Sequence, residues 1–128
     1  FEAIAEESAA RRVVACIDAR MREVYYSALE KTPAGWKEMV PAQCVAPEAA
    51  VAPPGEGWMG CGSGFAAFPA LLQNRISAVN PAIHPTAFAV ARLAAPGLLA
   101  GKGVDAALAL PVYLRDKVAF TAQELQSR

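Results

Sequence analysis

One histidine, three cysteines and no excess charge of either sign leave this 128-residue chain short of the usual raw material for catalysis, metal binding or nucleic-acid capture. Its 12 basic and 12 acidic residues cancel, whereas a domain that holds phosphate backbones gathers Lys and Arg in excess on one face. Cys16, Cys44 and Cys61 are odd in number, lie far apart and form no C-x-x-C pair. Neither a disulfide framework nor a zinc site is indicated, and a reducing cytoplasm suits them. No stretch reaches the roughly 20 uninterrupted apolar residues of a membrane span. The opening Phe1-Glu2-Ala3-Ile4-Ala5-Glu6-Glu7 is acidic where a signal peptide would be basic. These absences predict a soluble, cytoplasmic protein with no metal and no cofactor. The chain opens on Phe1, inside a helical pattern, which reads as the start of a fragment.

What is present is core-forming material: 55% of the residues are hydrophobic and only 19% charged. A single domain of this length buries roughly two thirds of the surface its unfolded chain exposes, enough to fold without staples.

Phe1, Ile4, Ala5 and Ala9 recur at helical spacing, which predicts a short amphipathic helix over 1–10. Val13-Val14-Ala15-Cys16-Ile17 is a continuous apolar run, suited to a central strand buried on both faces and ending at Asp18. After a connection at Ala19–Arg22, alternation over 23–30 and again over 36–40, with Thr32-Pro33-Ala34-Gly35 as the turn, predicts two more strands and an antiparallel meander. Lys37 and Glu38 mark the last as less buried. Residues 41–57 carry four prolines and read as connector. A short buried strand at 58–62 leads through a glycine turn into a helix with Pro69 in its first turn, ending near Asn74. Ile76–Val79 either extends that helix or forms a short strand, the preferred reading, with Asn80-Pro81 closing it either way, and a helix from Pro85 stops at Pro96-Gly97. Pro111–Arg115 reads as extended, ahead of a polar C-terminus that frays.

Candidate chemistry is thin. Cys61-Gly62-Ser63-Gly64-Phe65 resembles the papain-type nucleophile loop, but its second cysteine is missing, and Cys61 stands where a G-x-S-x-G elbow needs glycine. Gly60, Gly62 and Gly64 follow a strand and precede a helix, where amides could cradle a nucleotide phosphate. The third glycine of a G-x-G-x-x-G would fall on Phe65. A tight turn that requires small residues is the preferred reading. His84 has no second histidine and no nearby carboxylate to share a metal with, so a place at a helix entry is its default. Asp18, at a strand end, suits an Asx hydrogen bond that fixes the following turn. Arg11, Arg12, Arg20 and Arg22 form the one basic cluster, read as a solvated rim. The residues alone thus give an α/β domain with three adjacent strands first and no catalytic constellation.

Two segments, Ala15-Cys16-Ile17-Asp18-Ala19-Arg20-Met21-Arg22-Glu23-Val24-Tyr25-Tyr26 and Pro111-Val112-Tyr113-Leu114-Arg115-Asp116-Lys117-Val118-Ala119, resemble the two most recognisable stretches of the bacterial TsaB family, also called YeaZ. Between them, Gly60–Phe65 is similar to the family's strand-to-helix turn. The resemblance implies an RNase H-like, actin-like subdomain: a three-stranded antiparallel meander extended by one or two further strands, with helices packed on the sheet. It also implies a non-catalytic scaffold role in making threonylcarbamoyladenosine on tRNA, beside the transferase TsaD and the ATPase TsaE. On this resemblance 1–128 is a single C-terminal subdomain. Residues 1–10 are then the helix arriving from an N-terminal subdomain that is absent and would make the main TsaD contact. The helix expected after the third strand looks reduced to a turn. Asp18, Arg20, Tyr25, Tyr113 and Arg115 then hold motif geometry. The alternative is a nucleotide-binding or hydrolytic protein of the same superfamily using Gly60, Gly62 and Gly64. Self-association of the chain through an uncovered apolar surface is a further expectation.

Overall fold

The computed structural model describes residues 1–115. Asp116–Ala119 of the second motif stretch, and the polar C-terminus expected to fray, lie outside the described residues.

Five strands form one mixed sheet: β1 (Arg12–Arg20), β2 (Glu23–Thr32), β3 (Gly35–Val45), β4 (Trp58–Cys61) and β5 (Ile76–Asn80), in the order β3-β2-β1-β4-β5. β1, β2 and β3 pair antiparallel, whereas β1, β4 and β5 run parallel. β1 is central because its apolar run fits burial on both sides: Val13, Val14, Ala15 and Cys16 are fully buried.

Alternate residues of the strands feed two cores. Val14, Cys16, Val24, Tyr26, Ala28 and Trp58 face one way and meet Phe65 and Leu71, from and beyond α2 (Gly64–Ala67). Val13, Ala15 and Leu29 face the other way, where Ile4 and Ala5 of α1 (Glu2–Glu7) cover them. Outside α1 lies α3 (Ala87–Leu99), of which Ala89 alone is buried.

One carboxylate ties this second layer together. Glu6 accepts from Lys31 Nζ at 2.6 Å, from Trp36 Nε1 at 2.9 Å and from Arg92 Nη2 at 2.8 Å, joining α1 to β2, β3 and α3. The Lys31 and Trp36 hydrogen bonds hold its carboxyl below the usual range, against the opposing pull of burial. A carboxyl lowered on folding stabilises the fold above its unfolded pKa and loses that contribution as pH falls through its folded value. We therefore expect acid unfolding to begin below about pH 4.5. In Glu6→Gln this part of the acid transition should vanish, while stability near neutrality should drop. Equal acid profiles for the two proteins would show that Glu6 does not pin the layer.

Several boundaries depart from the sequence expectations, each for a local reason. The first helix stops at Glu7 rather than reaching Ala10, because Ser8 turns extended and its hydroxyl donates to the Ala5 carbonyl. β3 runs through Pro41 to Val45, inside what reads as connector. Two register shifts against β2 absorb the extra residues, leaving Pro41 and Ala42 opposite Ser27, and on an edge strand a missing N–H costs no ladder bond. The connector beyond holds only a single 3₁₀ turn, Pro47–Ala49, the reduced helix of the resemblance. The helix after the glycine turn is four residues long, not ten: the Pro69 ring pushes Phe68 out of helical geometry, and the chain continues as turns before β5. Conversely, α3 passes Pro96 to Leu99. Pro96 is tolerated because Arg92, whose carbonyl it leaves without a helical partner, is an exposed residue. The stop comes instead from Gly101 (φ +70°), whose N–H donates to Leu98 O while Lys102 N–H reaches Gly97 O.

Candidate functional site

The parallel strands β1, β4 and β5 all end on one edge of the sheet, next to the point where the chain order reverses around β1. That edge is where open α/β sheets place ligands. Here it carries Asp18, the glycine turn and Asn80, stitched to one another. Asp18 N–H donates to Ser63 Oγ at 3.1 Å, and Gly62 N–H donates to Asn80 O at 3.2 Å.

The glycines earn their places by close approach. Gly62 has φ +111°, and a Cβ there would fall 2.2 Å from the Cys16 carbonyl oxygen. A Cβ on Gly64 would lie 2.3 Å from Cys16 Sγ, and one on Gly60 2.7 Å from Phe65 Cζ. The turn is packed directly against β1. Of the amides that could cradle an anion, Gly62 N–H is taken by Asn80, Phe65 N–H by Gly62 O and Ala66 N–H by Ser63 O.

The motif residues gather next door, around the β1–β2 hairpin. Asp18 makes the expected Asx bond, its Oδ1 accepting from Arg20 N–H at 2.9 Å, and its Oδ2 pairs with Arg20 Nη1 at 3.1 Å. Arg115 reaches back from the far end of the described chain. Its Nη2 meets Glu23 Oε2 at 2.6 Å and donates to Ala19 O at 2.9 Å, and its guanidinium lies 5.5 Å from the Tyr25 ring centre. Cys44 Sγ, on β3, donates to the same Glu23 carboxylate at 3.6 Å. Asp18, Arg20, Tyr25 and Arg115 are thus brought together. Tyr113 is 82% exposed and joins them only as a wall of a groove of about 490 Å³, with Phe1, Ile17, Tyr25 and Arg115 among its lining.

Sequence reasoning missed Glu23, Cys44 and Ser63 as members of this edge. The signal for Glu23 and Cys44 was their position in strands neighbouring Tyr25, with Cys44 directly opposite it. For Ser63 there was none, because its bond to Asp18 spans 45 residues. The connection between β1 and β2 is also tighter than Ala19–Arg22: β1 keeps Ala19 as a bulge, and Arg20, Met21 and Arg22 all adopt left-handed geometry at φ 61°, 53° and 59°. Non-glycine residues resist that region by roughly 1–2 kcal/mol each. Met21→Gly is therefore expected to stabilise the domain by about 1 kcal/mol, read as a higher urea midpoint. A lower midpoint would show that the turn is relaxed.

The remaining candidates are quiet. Burial pushes the Cys16 thiol up to about 12, aided by the nearby Asp18 charge. Burial likewise raises Cys61 to about 11, partly offset by a hydrogen bond to Ser8. Both thiols are protonated at neutral pH, the inert form. His84 is exposed at the approach to α3, its Nδ1 2.8 Å from Ala82 O. Arg12 is no free rim charge, since it pairs with Glu30 at 2.8 Å and lies over the Trp58 ring. No group of three or more metal-ligating side chains occurs among the described residues, and no helix there is long and apolar enough to cross a membrane.

A central strand flanked by an antiparallel hairpin on one side and parallel crossovers on the other defines an α/β domain of the actin-like, RNase H-like class. Within that class the chain has a YeaZ-like (TsaB-like) fold. A Pseudomonas aeruginosa protein described as similar to the peptidase YeaZ superposes with a TM-score of 0.78 and 32% identity, over 89% of this chain and 56% of its own. YeaZ from Pseudomonas aeruginosa gives 0.76 and 31%, over 88% and 56%. The chain thus spans little more than half the length of either. No family model matches the sequence, and no curated protein does.

Proposed function

We propose that this chain is the C-terminal subdomain of a TsaB (YeaZ) protein and acts in the cytoplasm as a non-catalytic scaffold for threonylcarbamoyladenosine synthesis on tRNA. TsaD supplies the transfer chemistry and TsaE the ATPase, and the main TsaD contact lies on the N-terminal subdomain. The observation that carries this reading is how the sheet edge spends its groups. Gly62 and Gly64 are consumed by packing on Cys16, and Asp18, Glu23 and Arg115 by one another and by the hairpin backbone. Ser63, the nearest nucleophile, accepts a backbone N–H from Asp18 and has no histidine among its hydrogen-bond partners. A structural edge supports a scaffold better than it supports the nucleotide-binding or hydrolytic alternative.

The test is a reconstituted tRNA-modification assay with Arg20→Ala and Arg115→Ala variants of the intact protein. Modification should fall only as far as folding and partner binding fall. Loss of modification with both intact would assign these residues a direct role, and saturable ATP binding to the chain would favour the nucleotide alternative.

A further inference from the structure

The face of the sheet beneath α1 is covered unevenly. Ile4 and Ala5 of α1 close it over Val13, Ala15 and Leu29. Towards the end of β1 the same face carries Ile17 and Tyr25, register partners that are each only half-buried. What stands over that pair is the last part of the described chain: Val112, Tyr113, Leu114 and Arg115 line, with Ile17 and Tyr25, the groove of about 490 Å³. Val112 and Leu114 also line a second groove, of about 700 Å³, that reaches Leu29 and Ala42.

The segment that does this covering, residues 102–115, has little else to hold it. Apart from a single 3₁₀ turn at Ala106–Leu108 it has no regular structure, and every residue from 102 to 113 is exposed. Among the described residues its hydrogen bonds are local as far as Leu114, the longest running from Lys102 N–H to Gly97 O. Arg115 is where it is fastened. Arg115 Nη2 meets Glu23 Oε2 at 2.6 Å and the carbonyls of Ala19 and Arg20 at 2.9 and 3.4 Å, and only 13% of the side chain is exposed. Those carbonyls belong to a hairpin in which Arg20, Met21 and Arg22 are all left-handed, so the catch closes on backbone that resists its own geometry. A segment with few buried side chains, no ladder and one such anchor belongs to the low-stability end of a fold, where opening does not need the core to open.

We propose that residues 102–115 form a strap, latched by Arg115 onto the β1–β2 hairpin, that opens as a unit and uncovers Ile17 and Tyr25 while the five-stranded sheet stays folded. The device goes beyond the scaffold reading and does not depend on it, since it is tested without TsaD, TsaE or tRNA. The chain carries its own reporter. Cys16 and Cys61 are fully buried, whereas Cys44 is half-buried and its Sγ lies 3.6 Å from Glu23 Oε2, within the latch. Burial raises the Cys44 thiol pKa, and a hydrogen bond with Arg115 works against that rise.

The experiment is thiol labelling of the folded 128-residue chain with dithiobis(nitrobenzoate) at one fixed pH, following both the rate and the number of thiols that react. One thiol should react in the wild-type chain, and Arg115→Gln should speed it by about tenfold or more. Loss of the cation alone would leave less thiolate and slow the reaction, so a gain in rate reports access. Leu114→Ala loosens the strap and leaves the guanidinium in place, and it should speed the same thiol by a smaller factor. An unchanged or slower rate in Arg115→Gln would overturn the proposal. So would a gain in Arg115→Gln with none in Leu114→Ala, which would confine the effect to the bulk of the guanidinium. Reaction of all three thiols in either variant would overturn it too, since strap and sheet would then open together.

Discussion

Gly62→Ala is expected to cost the domain about 3–5 kcal/mol, from left-handed strain and overpacking together. At φ +111° the position lies outside even the left-handed region other residues visit, so the backbone must shift before alanine fits at all. The shift is obstructed because the added methyl would meet the Cys16 carbonyl at 2.2 Å, and that carbonyl belongs to the central strand, paired on both sides. Gly64→Ala makes an instructive companion. Its clash is mainly with Cys16 Sγ, a side-chain atom. Cys16→Ala should therefore recover part of the loss in Gly64→Ala and none of the loss in Gly62→Ala, a difference that double-mutant urea curves resolve. Near-wild-type stability of Gly62→Ala would mean that the turn stands off β1, and the reading of a packed structural edge would lose its support.

Trp58→Ala should be comparably severe, at about 3–5 kcal/mol. Trp58 is 1% exposed and is the largest fully buried side chain, in the cluster with Tyr26, Phe65 and Leu71. It also makes polar contacts: its Nε1 donates to Pro54 O at 2.9 Å, and the Arg12 guanidinium lies 5.8 Å from the ring centre. Alanine would leave a large cavity under β4 and release the loop that carries Pro54. Trp58→Phe keeps most of the volume but loses the hydrogen bond, so its cost should be closer to 1–2 kcal/mol, about the worth of one such bond plus imperfect packing. If Phe proves as damaging as Ala, the hydrogen bond rather than the packing dominates at this site.

How far these features could be read in advance follows from their range along the chain. The central strand was plain because five consecutive apolar residues leave no polar face for water. The meander was plain because alternation and turn chemistry are local. Ile76–Val79 proved to be a strand, a choice that its flanking Asn80-Pro81 could not make, since it closes a helix and a strand alike. Proline misled in three places for two reasons: its missing N–H matters only where that group would have had a partner, and its ring restricts the residue before it. On edge strand β3 and on exposed α3 the absence costs little, so Pro41 and Pro96 interrupt nothing. At Pro69 the steric effect on Phe68 prevails, and the helix ends before it begins to grow. The Asx bond of Asp18 was legible, since it joins residues two apart. Glu6 with Arg92, Asp18 with Ser63 and Glu23 with Arg115 were not: each pair spans tens of residues and depends on where the sheet brings the chain back.

The central functional claim is that this sheet belongs to a scaffold whose grip on TsaD lies mainly on its other subdomain. It is tested most directly by calorimetric titration of TsaD, at matched salt and concentration, with Pseudomonas aeruginosa YeaZ and with the 128-residue chain alone. We expect saturable heat from the longer protein and little or none from the chain. Equal affinity of the two would place the interface on this sheet, and binding by neither would remove the scaffold reading and return the glycine turn to consideration as a nucleotide site.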